Sequence, residues 1–204
     1  LPADHEQGTR LPLLVWAYPR EFNDAKTAGQ VSASPSRFTR ISGSSHLTML
    51  TQGYAIMNGA TMPVIGDAET MNDTFIDQIV AAAQAAIDKA VEMGVTDGEK
   101  VGVTGGSYGG YATAWLSTYY SDRFAAGVMS VGISNQISKV GTSDIPDEMF
   151  LVHNRLRPWD DWELFLERSP IYWADRSTTP LLILHGTEDK RVNPGQSMEM
   201  YRHL

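Results

Sequence analysis

Val101-Gly102-Val103-Thr104-Gly105-Gly106-Ser107-Tyr108-Gly109-Gly110-Tyr111 is the stretch on which the reading of this chain turns. Its opening, from Lys100 to Thr104, carries the β-branched pattern of a buried strand, and Tyr108 to Tyr120 carries that of a helix. Between them stands Gly105-x-Ser107-x-Gly109. A serine on a sharp strand-to-helix turn is held in a strained backbone conformation, with its hydroxyl thrust out above the sheet. Side chains two residues to either side would collide across the turn, so both positions need glycine. The first amide of the following helix then lies beside the hydroxyl, where charge on a reacting oxygen would develop. Glycine and serine are common in loops. The flanking strand and helix supply the context that the motif requires.

Outward from that turn, short apolar runs alternate with helical stretches, the pattern of a βαβ sheet. Leu11 to Trp16, after a polar turn over His5 to Arg10, reads as a strand, and Gly53 to Asn58 as a second. From Asp73 to Met93 the apolar residues Phe75, Ile76, Ile79, Val80, Ala83, Ile87, Ala90 and Val91 fall at helical spacing, with Asn72 as N-cap and Gly94 as the stop. Phe124 to Val131 and Thr179 to Leu184 read as further strands, and Pro194 to Leu204 begins a helix. Two irregular stretches interrupt this order. Ala28 to Ser45 is rich in Ser, Gly and Thr and holds Arg37 and Arg40. Ser134 to Ser169 carries Trp159 and Trp162 and is expected to hold short helices. Parallel sheets bind ligands at the carboxyl ends of their strands, where such insertions gather. Solvated surface is the competing reading of both.

The 204 residues suffice for one domain with a substantial core. A hydrophobic content of 42% with 20% charged residues is that of an ordinary soluble globular protein. The net charge of −8 lacks the basic footprint of a nucleic-acid binder or of a protein drawn to anionic membranes. No cysteine is present, which excludes a disulfide scaffold, a thiolate-ligated zinc and a thiol nucleophile, and leaves the compartment open between cytoplasmic and secreted or periplasmic. No apolar run approaches the ~18 residues of a membrane span, and no signal peptide is visible. The chain opens Leu1-Pro2-Ala3-Asp4 and closes inside a helical pattern at Tyr201-Arg202-His203-Leu204, and is expected to be a piece of a longer protein.

A serine hydroxyl is a poor nucleophile until a base takes its proton and a third group orients that base. The strand Leu181-Leu182-Ile183-Leu184 runs into His185-Gly186-Thr187-Glu188-Asp189-Lys190-Arg191-Val192. An acid just past a strand end, on the sheet edge that bears Ser107, is where the orienting carboxylate belongs. Both Glu188 and Asp189 meet that condition by spacing, and both also fit a solvated loop.

The strand-Gly-x-Ser-x-Gly-helix unit is the nucleophile elbow of an α/β-hydrolase fold. Gly105-Gly106-Ser107-Tyr108-Gly109-Gly110-Tyr111 together with His185-Gly186-Thr187-Glu188-Asp189-x-Arg191-Val192 resembles the catalytic domain of the prolyl oligopeptidase family of serine peptidases, over nearly the whole chain. Val15-Trp16-Ala17-Tyr18-Pro19-Arg20-Glu21-Phe22 further resembles the glutamyl endopeptidase branch. The resemblance implies a mostly parallel sheet with helices on both faces, lacking the first strands and the last strand and helix. It implies that residues 1–204 are part of the catalytic domain, without the β-propeller usual in the family. It also implies hydrolysis of short peptides through an acyl-enzyme, with no cofactor or metal.

Carried over by residue, Ser107 matches the nucleophile and Asp189, rather than Glu188, the acid of the triad. Tyr108 supplies a backbone amide to the oxyanion hole. Arg191 matches an arginine that holds a main-chain carbonyl of the bound peptide in some members, against a plain ion pair with Glu188 or Asp189. The second oxyanion donor departs from the family pattern. Trp16-Ala17-Tyr18-Pro19 stands where Tyr-x-Gly-Pro or His-Gly-Gly-Pro is expected, which leaves the Tyr18 hydroxyl, favoured here, or the Ala17 amide. The triad histidine should follow Asp189 after a further helix and strand. His203 is the only histidine past Asp189, and fourteen residues are too few for helix, strand and loop at ~1.5 Å per helical residue. His185 is expected to be structural, and His5, His46 and His153 all precede Asp189, which breaks the chain order of a triad. The chain is therefore expected to lack a complete triad and to be nearly inert by itself. A carboxylesterase on the same fold, or a binding module that kept the fold, are the alternatives. Arg155, Arg157 and Arg191 could form a basic pocket for an acidic side chain. Trp159 and Trp162 could line an apolar one or be core.

Overall fold

A computed structural model describes residues 1–30, 34, 36, 41–43 and 45–204. Arg37 and Arg40, with most of the first irregular stretch, lie outside the described residues. Five strands form one sheet: β1 (Leu13–Phe22), β2 (Ala55–Ile65), β3 (Val101–Gly106), β4 (Ala126–Ser130) and β5 (Leu181–Leu184), in the order β2-β1-β3-β4-β5 with every pair parallel. The helices are α1 (Ala25–Ala28), α2 (Phe75–Glu92), α3 (Tyr108–Thr118), α4 (Gln136–Thr142), α5 (Trp162–Glu167) and α6 (Gly195–His203).

Alternation along the strands sets the core. Leu13, Val15 and Ala17 of β1 and Val101 and Val103 of β3 are buried beneath Ile79, Ala83 and Ile87 of α2 and beneath Trp115 and Leu116 of α3. Met200 of α6 closes the β5 end of this layer against Ala114 and Met129. Helix α3 is buried at every position from Gly109 to Thr118, as a central helix apolar on all sides must be. These three helices cover one face. The opposite face meets a 3-10 turn over His46–Gln52, with Trp16 stacked on His46, and its Leu182 and Leu184 stay half exposed. None of the helices described is long and apolar enough to cross a membrane.

The apolar pattern of β1 fades after Trp16, yet the strand runs on to Phe22. Its pairing with β3 stops at Trp16↔Thr104, while its pairing with β2 resumes after an irregularity between Val15 and Ala17 and continues to Phe22↔Ile65. Past Trp16 the strand thus has a partner on one side only, a setting that tolerates Pro19. This overhang carries Tyr18 and Glu21 past the last pair with β3, and Ala17 and Tyr18 lie against Gly109 of the Ser107 turn.

Helix α2 begins at Phe75 with Thr74 at its N-cap, not Asn72. Asn72 sits in a preceding 3-10 turn, and its Nδ2–H donates to Glu21 Oε1 at 3.1 Å. A partly buried carboxylate holds this side chain instead of the helix end. Gly94 ends the helix at φ 73°, as its position predicts.

Candidate active site

The register brings the strand ends level. Gly106 pairs with Ser130, and Ser130 with Leu184, so the segments leaving β3, β4 and β5 start from one line across the sheet. Ser107 leaves first. It has φ 58° and ψ −118°, outside the region that side-chain-bearing residues prefer, and is followed at once by α3. Its N–H donates to the Ser130 carbonyl at 3.1 Å, which ties the turn to the neighbouring strand. A Cβ on Gly105 would lie 2.5 Å from the Gly109 carbonyl oxygen and 2.6 Å from that of Ala17. The chain crosses itself closely enough that both glycines are obligatory, as the motif requires. As the first residue of α3, Tyr108 has an N–H without an intrahelical partner, at the positive end of the helix dipole.

Asp189 lies on the loop leaving β5. Its Oδ1 accepts the N–H groups of Arg191 (2.9 Å) and Val192 (3.0 Å), which fixes the carboxylate, and its Oδ2 stands 3.8 Å from His185 Nε2. Glu188 beside it is exposed. An open cleft of about 410 Å³ adjoins this loop, lined by Thr142, Ser143, Asp144, Thr187, Asp189 and Pro194.

Each histidine has its own surroundings. His185 Nε2–H donates to the Val192 carbonyl (2.7 Å), so its Nδ1 accepts from Ser197 Oγ (2.6 Å). This ring is a brace at the end of β5. His203 Nδ1–H donates to Glu199 O within its own helix, His46 Nε2 meets Asn58 Oδ1, and His153 Nδ1 meets Glu21 Oε1. Nδ1 of His5 is buried with no hydrogen-bond partner among the described residues. Ser107 and the Asp189 carboxylate are hydrogen-bonded to none of these rings.

Tyr18 is 40% exposed, and its ring meets that of Tyr108 edge-on at 6.4 Å. Tyr18 Cδ2 lies 3.2 Å from where a Cβ on Gly109 would stand, which places the ring beside the Ser107 turn. The Tyr108 phenol is buried, and burial pushes its pKa far up; the same holds for Tyr111, so both are neutral donors. Arg191 donates from Nε to Asp144 Oδ1 at 2.6 Å, a partner that Glu188 and Asp189 do not supply, and this pairing holds the Asp144 carboxyl below its ordinary range. Arg155 Nε reaches the Ala68 carbonyl and approaches Glu69. Arg157 pairs with Asp147 and lies over Phe150 and Trp159. Trp159 and Trp162 are 63% and 52% exposed; neither is core. Each arginine weighed for a basic pocket thus faces a carboxylate of its own.

Two features carried no legible sequence signal. Lys139 of α4 is a buried cation, paired with Glu148 Oε2 at 3.1 Å and donating to Ser143 Oγ at 2.8 Å. Glu21 of the β1 overhang is a carboxylate at which three segments meet.

Comparison with known proteins follows from this geometry. The sequence profile described as the prolyl oligopeptidase family matches residues 66–204. Probable chloroplastic glutamyl endopeptidases of Arabidopsis thaliana and Oryza sativa subsp. japonica are 37% and 35% identical, each over 91% of this chain and over 18% and 19% of their own length. An acylamino-acid-releasing enzyme of Arabidopsis thaliana is 30% identical over 86% of this chain and 24% of its own. Among solved structures, the acylaminoacyl peptidase of Pyrococcus horikoshii superposes with a TM-score of 0.70 at 22% identity, covering 98% of this chain and 31% of that one, a likeness of fold. The chain spans about a fifth of the length of the curated relatives it matches most fully.

Proposed function

This chain belongs to the prolyl oligopeptidase family, and from that premise we propose that it carries the nucleophile and acid of a serine peptidase. The observation that supports this most directly is the Ser107 backbone at φ 58°, crossed by Gly105 and Gly109 with no room for a side chain at either. A fold keeps such strain where it serves a site.

In this reading Ser107 Oγ attacks the scissile carbonyl carbon as its proton passes to an imidazole, which the Asp189 carboxylate orients and stabilises once charged. The Tyr108 N–H and the Tyr18 hydroxyl donate to the oxyanion. The amine leaves with the proton returned by the imidazole, and water then releases the acyl group from Ser107 by the same steps in reverse. The imidazole is a histidine other than the five of this chain, since each of those has another place in the fold. These 204 residues alone should therefore be nearly inert, and short peptides are the substrate class. Arg191 serves the peptide main chain by exchanging Asp144 for a substrate carbonyl. It sits beside Asp189 on an exposed, salt-screened pair that a ligand can break at small cost.

A fluorophosphonate probe tests this. In the intact protein it should label Ser107 stoichiometrically, and Ser107→Ala should abolish both labelling and cleavage of peptidyl anilides. Cleavage of aryl esters with anilides untouched would instead make it an esterase. Rapid labelling of the 204-residue chain alone would refute the need for a sixth histidine.

A further inference from the structure

The Glu21 side chain stands at the overhang of β1 with only 20% of its surface exposed, and its Oε1 takes three donors. His153 Nδ1 lies at 2.8 Å, Asn72 Nδ2 at 3.1 Å and the Tyr108 hydroxyl at 3.4 Å. The three come from the insertion after β4, from the turn before α2 and from the first residue of α3. Burial alone would raise the Glu21 pKa; the His153 bond and charge, with the Asn72 and Tyr108 bonds, outweigh it and leave the carboxyl below its ordinary value.

These contacts converge on one ring. Tyr108 stacks on His153 at 4.5 Å and on Tyr111 at 5.5 Å, with Phe75 at 5.5 Å and the edge of Tyr18 at 6.4 Å. The Tyr108 amide follows directly on the strained Ser107. On one side the turn is anchored by the Ser107 N–H to Ser130. On the other, the Ser107 carbonyl of the same peptide accepts the Tyr111 N–H at 2.9 Å, and the Tyr108 side chain, gripped by His153 and Glu21, adds a hold from outside the helix. Oxyanion donors must be held to within about 0.5 Å to be useful, and an error of about 1 Å can cost about 10²-fold in rate. A purely structural site would be served as well by apolar groups of the same volume, because buried ion pairs add little net stability over them.

Resting on the peptidase reading above, we propose that Glu21, acting through His153 and the Tyr108 side chain, is a positioning residue of the oxyanion hole. Oxyanion donors act on the transition state and not on the bound substrate, so the role has a kinetic signature that a merely structural one lacks. In the intact protein, Glu21→Ala should lower kcat by about 10²-fold with KM within about twofold. Affinity for a peptide boronate, whose tetrahedral adduct on Ser107 copies the oxyanion, should fall by a like factor, while a product peptide should bind as before. Glu21→Gln keeps an acceptor oxygen for Tyr108 and should recover most of the rate. His153→Phe keeps a ring against Tyr108 but drops the bond to Glu21, and should lose about tenfold in kcat alone.

Unchanged kcat and boronate affinity in Glu21→Ala would overturn the proposal. So would a raised KM at constant kcat, which would make Glu21 a ligand of the substrate. If Glu21→Ala does not fold, the Gln and Phe variants decide by the same two readouts. A wild-type protein that fluorophosphonate leaves unlabelled would sink the peptidase reading itself, a failure distinct from that of any variant.

Discussion

Gly109 passes so close to Ala17 that a β-carbon on the glycine would lie 2.5 Å from the Ala17 carbonyl oxygen. Backbone faces backbone there, so nothing can swing aside. Gly109→Ala should destabilise the fold by about 3 kcal/mol and abolish labelling of Ser107. Gly141, inside α4 with open space at its would-be Cβ, should by contrast gain about 0.5–1 kcal/mol from the same change. Urea unfolding midpoints of the two variants, read against wild type, check both signs.

Ser107 holds a conformation that glycine adopts freely. Ser107→Gly should therefore be inactive yet more stable by about 1 kcal/mol, whereas Ser107→Ala should be inactive with no such gain. For a domain of this size that is a rise of about 2–4 °C in Tm, resolved by calorimetry.

Asp189→Asn keeps an oxygen for the Arg191 and Val192 N–H groups but loses the charge that orients an imidazole. Stability should change little while kcat falls by about 10⁴-fold in the intact protein. Parallel thermal melts and steady-state kinetics separate the two effects.

The Glu21 carboxyl titrates below its ordinary value in the folded chain. The folded state therefore binds its proton less readily than the unfolded one, so the pair with His153 stabilises above the ordinary carboxylic pKa of about 4.3 and is lost as pH falls through the lower folded value. Glu21→Gln removes that dependence. The gap in Tm between wild type and Glu21→Gln should shrink as pH drops from about 5 toward 3.

Lys139 is sealed in with Glu148 as its carboxylate partner. Glu148→Ala strands a buried ammonium group and should cost about 3 kcal/mol, whereas Lys139→Met, which removes the buried charge itself, should cost less. Equilibrium unfolding at pH 7 gives the order directly.

The eleven residues around Ser107 sufficed to read the turn, because steric conflict between positions two apart is a local matter. The parallel strands and α2 were equally legible from apolar spacing. Other details were hidden. The first strand reads as ending at Trp16 because only one neighbouring strand pairs with it beyond that point, and Asn72 reads as a cap because nothing nearby in sequence reveals the carboxylate that draws it away. Arg191 offered two acids close in sequence and took Asp144, 47 residues distant, instead.

By itself, then, the sequence determined a strained serine at the end of a parallel strand, an acid past another strand end, and the family to which that pairing belongs. Only the tertiary structure decided what the histidines do and what grips the Tyr108 ring. Glu21 and His153 are separated by 132 residues, and their contact arises only when β1 outruns β3 and the insertion after β4 folds back over α3. Backbone strain is encoded within a few bonds, whereas pairing of partly buried polar groups depends on which distant segments packing brings together.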